Sequence, residues 1–143
     1  MHTKHLGNQG ELKVAAFFAE MGISVFKELG DISRKDLIID YNNNLLGIQV
    51  KTISKKNGVY SFAAKKSGPN YQFKYNLKDC HFFALYCKED KAIAWIKAEE
   101  ATLSKKSFNL RADQAKNSQK KNVLWLHDYT DVMRVLRDYE QST

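Results

Sequence analysis

Two apolar segments joined by asparagines restrict the fold of this chain more than any other feature. The first segment is Asp36–Tyr41, the second is Leu45–Ile53, and Asn42–Asn44 lie between them. Both segments have the length and the content of β-branched and aromatic residues that strands favour, and asparagine is a common turn residue. The pattern predicts a β-hairpin, in which residues distant from the turn come together on adjacent strands.

The polar residues of this hairpin suggest a chemical site. Side chains alternate faces along a strand, so Gln49 and Lys51 should project from one face while Ile48 and Val50 enter the core. The hairpin can then bring Asp36 beside that polar pair. A carboxylate, an amide oxygen and an ammonium on one face of a sheet suit the metal-assisted hydrolysis of a phosphodiester.

This arrangement resembles the PD-(D/E)XK nuclease superfamily. Asp36 stands for the aspartate of the motif, Gln49 for its second acid and Lys51 for its lysine, and Glu11 lies on an upstream helix where many members carry a further acidic ligand. The stretch from Gly7 to Thr52 is similar to the homing endonucleases of this superfamily that group I introns encode in cyanobacterial transfer-RNA genes. The resemblance implies an α/β fold with a restriction-endonuclease-like core, a central mixed sheet flanked by helices, in one domain over residues 1–143.

The same resemblance implies a sequence-specific endonuclease that makes double-strand breaks with Mg²⁺, for which Mn²⁺ can substitute. Its ligands would be Glu11, Asp36, Gln49 and the backbone carbonyl of Val50, because Mg²⁺ prefers oxygen. Lys51 would orient the attacking water or stabilise charge on the phosphate. Gln49 offers a neutral oxygen where relatives carry a carboxylate. Each residue also has a purely structural interpretation, such as a capping aspartate or a buried, hydrogen-bonded glutamine.

Charge favours a polyanionic partner, since the 143 residues carry a net charge of +7 and a pI near 9.3. Double-stranded DNA is the predicted partner, although a merely basic protein would show the same balance. Basic hairpin loops with interleaved tyrosines bracket the proposed site, and two-stranded ribbons fit the major groove. The predicted DNA-contacting residues are Arg34, Lys35, Lys55, Lys56, Tyr60, Lys65, Lys66, Tyr71 and Lys74.

Two cysteines, Cys80 and Cys87, flank an apolar run and are predicted to be buried free thiols. No apolar stretch approaches the roughly 20 residues that span a membrane, and residues 1–5 lack a signal-peptide core. We therefore expect a cytoplasmic protein that lies with the genomic DNA.

Helical periodicity predicts a first helix over Glu11–Met21, ended by Gly22, with an apolar stripe of Val14, Ala15, Phe18 and Met21. The strands predicted next are a short one at Ile23–Phe26 and a return strand at Val59–Ala63, with hairpin tips at Lys55–Gly58 and Lys65–Asn70. A strand covered on both faces is predicted at His81–Cys87, followed by a turn and its partner strand at Ala92–Ile96. The last predictions are a long loop at Ser104–Asn122 and a closing helix at Tyr129–Tyr139.

Two other functions fit the same residues. A Holliday-junction resolvase of this fold has a similar arrangement of acids and lysine, and a catalytically inactive DNA-binding module would explain the glutamine. One chain carries one such site, so a double-strand cut needs at least two copies. The resemblance favours a homotetramer over a dimer, and the apolar side of the closing helix is a candidate interface.

Overall fold

The computed structural model describes residues 3–30, 32–33, 35–63, 65–68, 71–74, 80–103, 108–114 and 123–140. Its helices are α1 (Thr3–Glu20), α2 (Ala98–Leu103) and α3 (Met133–Leu136), with 3₁₀ turns at Leu126–Tyr129 and Arg137–Tyr139. Its strands are β1 (Ser24–Phe26), β2 (Leu37–Tyr41), β3 (Asn44–Ile53), β4 (Val59–Phe62), β5 (Lys65–Gly68), β6 (Tyr71–Lys74), β7 (Phe82–Cys87), β8 (Ala92–Lys97), β9 (Phe108–Arg111) and β10 (Leu124–Trp125).

Helix α1 begins earlier than predicted but ends as the sequence indicates. Gly22 has a φ of +77°, and the amide of Ile23 donates to the carbonyl of Phe18 at 3.0 Å, which closes the last turn. Val14 and Phe18 are fully buried against the sheet. Met21 was predicted to share this apolar stripe and is instead 44% exposed, because it lies in the turn beyond the helix.

A mixed five-stranded sheet forms the centre of the molecule in the order β1-β2-β3-β7-β8. Strands β3 and β7 are parallel, and the other neighbours are antiparallel. The predicted hairpin is confirmed as β2 and β3, with Asn42 and Asn43 at φ values of 49° and 67° in its turn. These positive φ values suit asparagine, which tolerates the left-handed region better than most residues.

Apolar residues cover both faces of this sheet. On one face, Val14 and Phe18 of α1 pack with Ile48, Trp95 and neighbouring residues. On the other, a small sheet ordered β10-β9-β4 covers the strands with its own core cluster. All six residues of β7 are buried, as the continuous apolar run predicted. The result is the predicted α/β architecture, a central mixed sheet with a flanking layer on each face.

Three predicted elements differ from the structure. The turn at Lys55–Gly58 forms, with Asn57 and Gly58 both at positive φ, but β4 does not return along β3 and pairs antiparallel with β9 instead. Strand β9 lies within residues 104–122, which were predicted as loop, because tertiary pairing overrides weak local patterning. Residues Lys65–Gly68 form a strand paired with β6 and not a hairpin tip, while residues 69–70 lie outside the described part of the chain.

The predicted closing helix is broken into a 3₁₀ turn, the four-residue helix α3 and a second 3₁₀ turn. Its apolar residues Val132, Val135 and Leu136 are buried in the core cluster that contains Trp95. The candidate interface on this element is therefore wrong, because that face already packs within the chain.

Cys80 and Cys87 are free and buried, as predicted. Burial raises the pKa of the Cys87 thiol to about 12. Among the described residues, no helix is long and apolar enough to cross a membrane.

Candidate active site

Asp36 is fastened to the middle of β3 by its backbone and by its side chain. Its amide donates to the carbonyl of Ile48 at 2.8 Å, and its Oδ2 accepts from the amide of Val50 at 2.8 Å. These two bonds bracket Gln49 along β3. The carboxylate also replaces the backbone acceptor that β2 would supply if it extended further, which explains why the strand begins at Leu37. Asp36 is thus held beside the backbone of Gln49, as the hairpin predicted, and a site shared by the two side chains stays a prediction.

Gln49 is only 8% exposed, and it is the one buried polar side chain among the described residues. It pairs with Phe83 of β7, whose side chain belongs to the core cluster on the face opposite α1. Its Oε1 is buried and has no hydrogen-bond partner within the described part of the molecule. A buried amide oxygen left in this state costs free energy, about 1–3 kcal/mol in mutational studies of such groups. An added ligand that binds this oxygen would remove the cost.

Glu11 and Asp36 line one pocket of about 410 Å³, together with Lys27, Glu28, Gly30 and Lys35. Helix α1 approaches β3 closely at the adjacent Gly10, where an added Cβ would lie 2.2 Å from the Thr52 Oγ1. This close approach carries Glu11 toward the end of β2. The Glu11 carboxylate is paired with the Lys27 ammonium at 3.6 Å, and the Lys27 side chain is largely exposed. Such a pair is weak and can be exchanged for a stronger one.

Lys51 lies two residues beyond Gln49 on β3, on the same strand face, and is half-buried opposite Leu85 of β7. Neither Gln49 nor Lys51 is among the described residues that line the pocket of Glu11 and Asp36. The structure therefore brings Glu11 and Asp36 to one pocket and holds Asp36 beside the β3 backbone at Gln49, while Gln49 and Lys51 lie on the sheet face away from α1. A site shared by all four residues stays a prediction.

The donor set fits a hard divalent cation. Three carboxylates, those of Glu11, Glu28 and Asp36, reach one pocket. Gln49, whose side-chain oxygen is buried, lies along β3 between the two residues that bind Asp36. Within the described ranges no group of three or more His, Cys, Asp or Glu side chains is close enough to hold a metal. A cation at this place would therefore depend on the neutral oxygen of Gln49 and on oxygens from the substrate.

The comparison with protein families decides the identity of the fold. The model of the PD-(D/E)XK endonuclease family matches residues 1–132. The chain belongs to this family. Membership makes it an endonuclease, with DNA as the implied substrate.

Four chains of solved structures also match. One is described as a bacterial homing endonuclease, I-Ssp6803I, and it has a TM-score of 0.79 and 22% sequence identity. The match covers 97% of this chain and 95% of that one. At this identity the likeness shows the fold. No curated protein sequence matches the chain significantly.

One residue of the endonuclease that was predicted to contact DNA, Tyr60, lies in the core instead. Tyr60 is 1% exposed, and its hydroxyl donates to the Asp90 Oδ2 at 2.5 Å. Burial, then this hydrogen bond, raises the pKa of Tyr60. Its hydroxyl also accepts from the Asp90 amide at 3.0 Å. Tyr60 is therefore a core residue that holds the turn between β7 and β8, and its prediction as a DNA contact is corrected.

Lys55 also belongs to this structural cluster. Its Nζ lies 3.4 Å from the Asp90 Oδ2 and 3.2 Å from the Asp113 carboxylate, and its side chain is 22% exposed. The Asp113 hydrogen bond, followed by Asp90, raises the pKa of Lys55. Two acids thus hold Lys55 in place, which removes it from the candidates for base reading. Lys56, on the same turn, is exposed.

The other predicted DNA contacts fall into two groups. Lys35 lines the pocket that contains Asp36. Lys65, Lys66, Tyr71 and Lys74 lie on the antiparallel ribbon β5–β6, in which Lys65 pairs with Lys74 and Gly68 with Tyr71. Arg34 lies outside the described residues. The ribbon was missed from the sequence because Lys65–Gly68 has the composition of a turn, although the alternation of Tyr71–Lys74 is compatible with a strand.

Proposed function

We propose that the chain is a sequence-specific, metal-dependent DNA endonuclease of the homing type, in which residues 1–143 act as one nuclease domain. The observation that carries this proposal is the fastening of Asp36 to both sides of Gln49, beside a pocket that Glu11 shares. Oxygen donors clustered in this way favour Mg²⁺, with Mn²⁺ as a substitute. The likeness to a bacterial homing endonuclease supports the homing activity.

Glu11, Asp36, Gln49 and the Val50 carbonyl would hold the cation. Val50 already donates its amide to Asp36, and a residue in a strand directs its amide and its carbonyl to the same edge. When bound, a divalent cation would polarise the scissile phosphate and favour the ionised form of the attacking water. It would displace Lys27 from Glu11 and give the buried Gln49 oxygen a partner.

Lys51 has a different task in this proposal. Its ammonium, on the strand face of Gln49, would donate hydrogen bonds to the attacking water and to the phosphate oxygen on which charge develops. An ammonium placed before the reaction stabilises that charge more effectively than solvent does. Asp36 keeps its Oδ2 on the Val50 amide, so the carboxylate stays oriented while the substrate enters.

DNA would lie across the pocket, with β5–β6 entering the major groove and Lys35 and Lys56 near the backbone. Base reading would fall to the ribbon residues Lys65, Lys66, Tyr71 and Lys74, and Arg34 remains a proposed contact. A double-strand break requires two sites, and therefore a homo-oligomer, for which a tetramer is favoured over a dimer. The protein would act in the cytoplasm, where genomic DNA is the substrate.

The test is cleavage by Asp36→Asn and Lys51→Ala. Both variants should lose cleavage while they retain DNA binding in gel-shift assays, and chelation should abolish cleavage by the unaltered protein. Asp40→Asn and Lys13→Ala are matched controls, because both residues are exposed and lie outside the pocket. Unchanged turnover in Asp36→Asn or in Lys51→Ala would contradict the proposed site.

Substrate choice separates the alternatives. Cleavage of four-way junctions without preference for a linear sequence would indicate a Holliday-junction resolvase. DNA binding that ignores Mg²⁺, with no cleavage at any metal concentration, would indicate an inactive module in which Gln49 marks the lost activity. A homing-type enzyme should instead cut both strands of one long linear site.

A further inference from the structure

Gly47 lies in the interior of β3, where glycine normally weakens a strand. The structure gives a reason for its presence. An ideal Cβ at this position would lie 2.5 Å from the Cδ of Lys35 and 2.8 Å from both its Cγ and its Cε. These distances are shorter than any ordinary contact between carbon atoms. The stem of Lys35 therefore crosses β3 directly over the glycine, in a space that any other residue would fill.

The backbone of Gly47 has little freedom to move away from an added side chain. On one side it pairs with Ile38 of β2. On the other, its amide donates to the Nδ1 of His81 at 2.9 Å, and the His81 amide donates to its carbonyl at 2.9 Å. Both neighbours thus hold the strand in place. Any side chain at position 47 would have to displace Lys35.

Lys35 lies at the pocket that the proposed function assigns to the substrate phosphate. It directly precedes Asp36, and both residues line the pocket that contains Glu11. Its position near the β3–β7 boundary is also felt electrostatically. Burial first, and then the Lys35 charge, lower the pKa of His81. The Lys35 side chain therefore reaches from the pocket of Asp36 over Gln49's neighbour Gly47 toward His81.

We propose that Lys35 is a positioning residue that binds the DNA phosphate next to the scissile one. Because Gly47 has no side chain, it leaves the space in which the Lys35 stem lies, and this holds the ammonium in place. The inference rests on the proposed function of the site at Asp36. A free lysine loses much rotamer freedom when it binds a phosphate. A stem already laid on the strand loses less, so the contact fixes the DNA backbone as well as attracting it. Other surface lysines would supply attraction alone.

Three variants test this proposal. Lys35→Met keeps an apolar stem over Gly47 but removes the charge, and Lys35→Arg keeps the charge. Gly47→Ala fills the space in which the Lys35 stem lies. We expect Lys35→Met and Gly47→Ala each to raise KM about tenfold and to reduce the salt dependence of DNA binding by about one unit on a log–log plot. Their double variant should show no further loss, and Lys35→Arg should retain most of the affinity. Lys13→Met, at an exposed lysine of α1, is the control and should behave as the unaltered protein.

Stability measurements separate positioning from folding. The pair Lys35→Ser/Gly47→Ala removes the stem that an alanine would strike, so its thermal midpoint should recover if Gly47→Ala alone unfolds. An unaltered salt dependence in Lys35→Met would overturn the proposal. So would a rise in KM in Gly47→Ala that exceeds the rise in Lys35→Met, if the same excess appears when Gly47→Ala is added to Lys35→Ser. Metal-dependent cleavage that Asp36→Asn abolishes would remain in either case, so the two proposals can fail separately.

Discussion

Gln49 shows how one side chain can serve the fold poorly and the proposed reaction well. It occupies a position at which the neighbouring β3 residues Ile48 and Val50 are buried and apolar, yet its Oε1 lies buried without a partner among the described residues. A leucine there would pack without that cost. The proposed role of Gln49 as a metal ligand would give this oxygen a partner.

Gln49→Glu and Gln49→Ala test that role. Without metal, the Gln49→Glu variant should be less stable than the unaltered protein, because an ionised carboxylate is buried. Addition of Mg²⁺ should raise the thermal midpoint of the variant by more than it raises that of the unaltered protein. It should retain cleavage, whereas Gln49→Ala should lose most of it. Thermal unfolding with and without Mg²⁺, beside nicking assays, gives both readouts. Equal cleavage by all three proteins would show that Gln49 is structural.

The residues of the site differ in how far the sequence could predict them. Gln49 and Lys51 alternate along β3 and Asp36 is bonded to the same strand, so the sequence was sufficient to place the three residues on one hairpin. That they form one site stays a prediction. Tyr60 and Lys55 were misassigned because their partners, Asp90 and Asp113, are distant in the chain and their contacts depend on tertiary packing. Basic and aromatic composition cannot distinguish a surface contact from a buried one.

At the scale of elements, local signals were reliable and non-local pairing was not. The turn asparagines, Gly22 and the apolar run of β7 each predict a structure within a few residues. The pairing of β4 with β9 joins segments separated by the whole of β5–β8, and no local pattern encodes it. The spacing of Val132, Val135 and Leu136 correctly predicted a buried apolar face. The element that carries this face is a four-residue helix between two 3₁₀ turns and not one continuous helix.

The hydroxyl of Tyr60 provides a prediction for this scale, since it joins β4 to the turn after β7. Its hydrogen bond is the main cause that lowers the pKa of Asp90. Tyr60→Phe should reduce the free energy of unfolding by about 1.5–3 kcal/mol, the usual range for a hydrogen bond to a charged group. Urea unfolding measures it. Tyr139→Phe is the control, because the half-buried Tyr139 packs at the edge of the other core cluster and not against Asp90, and a loss equal to that of Tyr60→Phe would contradict the assignment.

For the molecule as a whole, His81 predicts a dependence of stability on pH. Its Nδ1 accepts the Gly47 amide, so the folded protein requires the neutral ring, and burial followed by Lys35 lowers its pKa. In the unfolded chain the ring binds a proton at its ordinary value, about 6.5. The unfolded state therefore holds more protons just below that pH. Stability from this group is complete above about pH 6.5 and falls as the pH drops toward the lowered pKa.

Chemical denaturation between pH 7.5 and about 5 measures this dependence. The unaltered protein should lose stability over that interval, and His81→Phe, which lacks the acceptor, should be less stable at pH 7.5 with a flatter profile. His127→Phe is the matched control, because His127 is exposed like His81 but lies beside Asp128 and Trp125 and not against the Gly47 amide. Parallel profiles for the unaltered protein and His81→Phe would show that another group governs the effect.

The parallel pairing of β3 and β7 has a consequence for how such an enzyme could change its target. Parallel neighbours require a long connection, and here residues 54–81 supply it, including the ribbon β5–β6. The entropy of closing a connection grows only with the logarithm of its length, so that doubling it costs about 0.6 kcal/mol. Insertions and replacements within the ribbon would leave the strands that hold Asp36 and Lys51 almost undisturbed. On the roles proposed for the ribbon and for Asp36 and Lys51, recognition and chemistry can therefore diverge at different rates within one small chain.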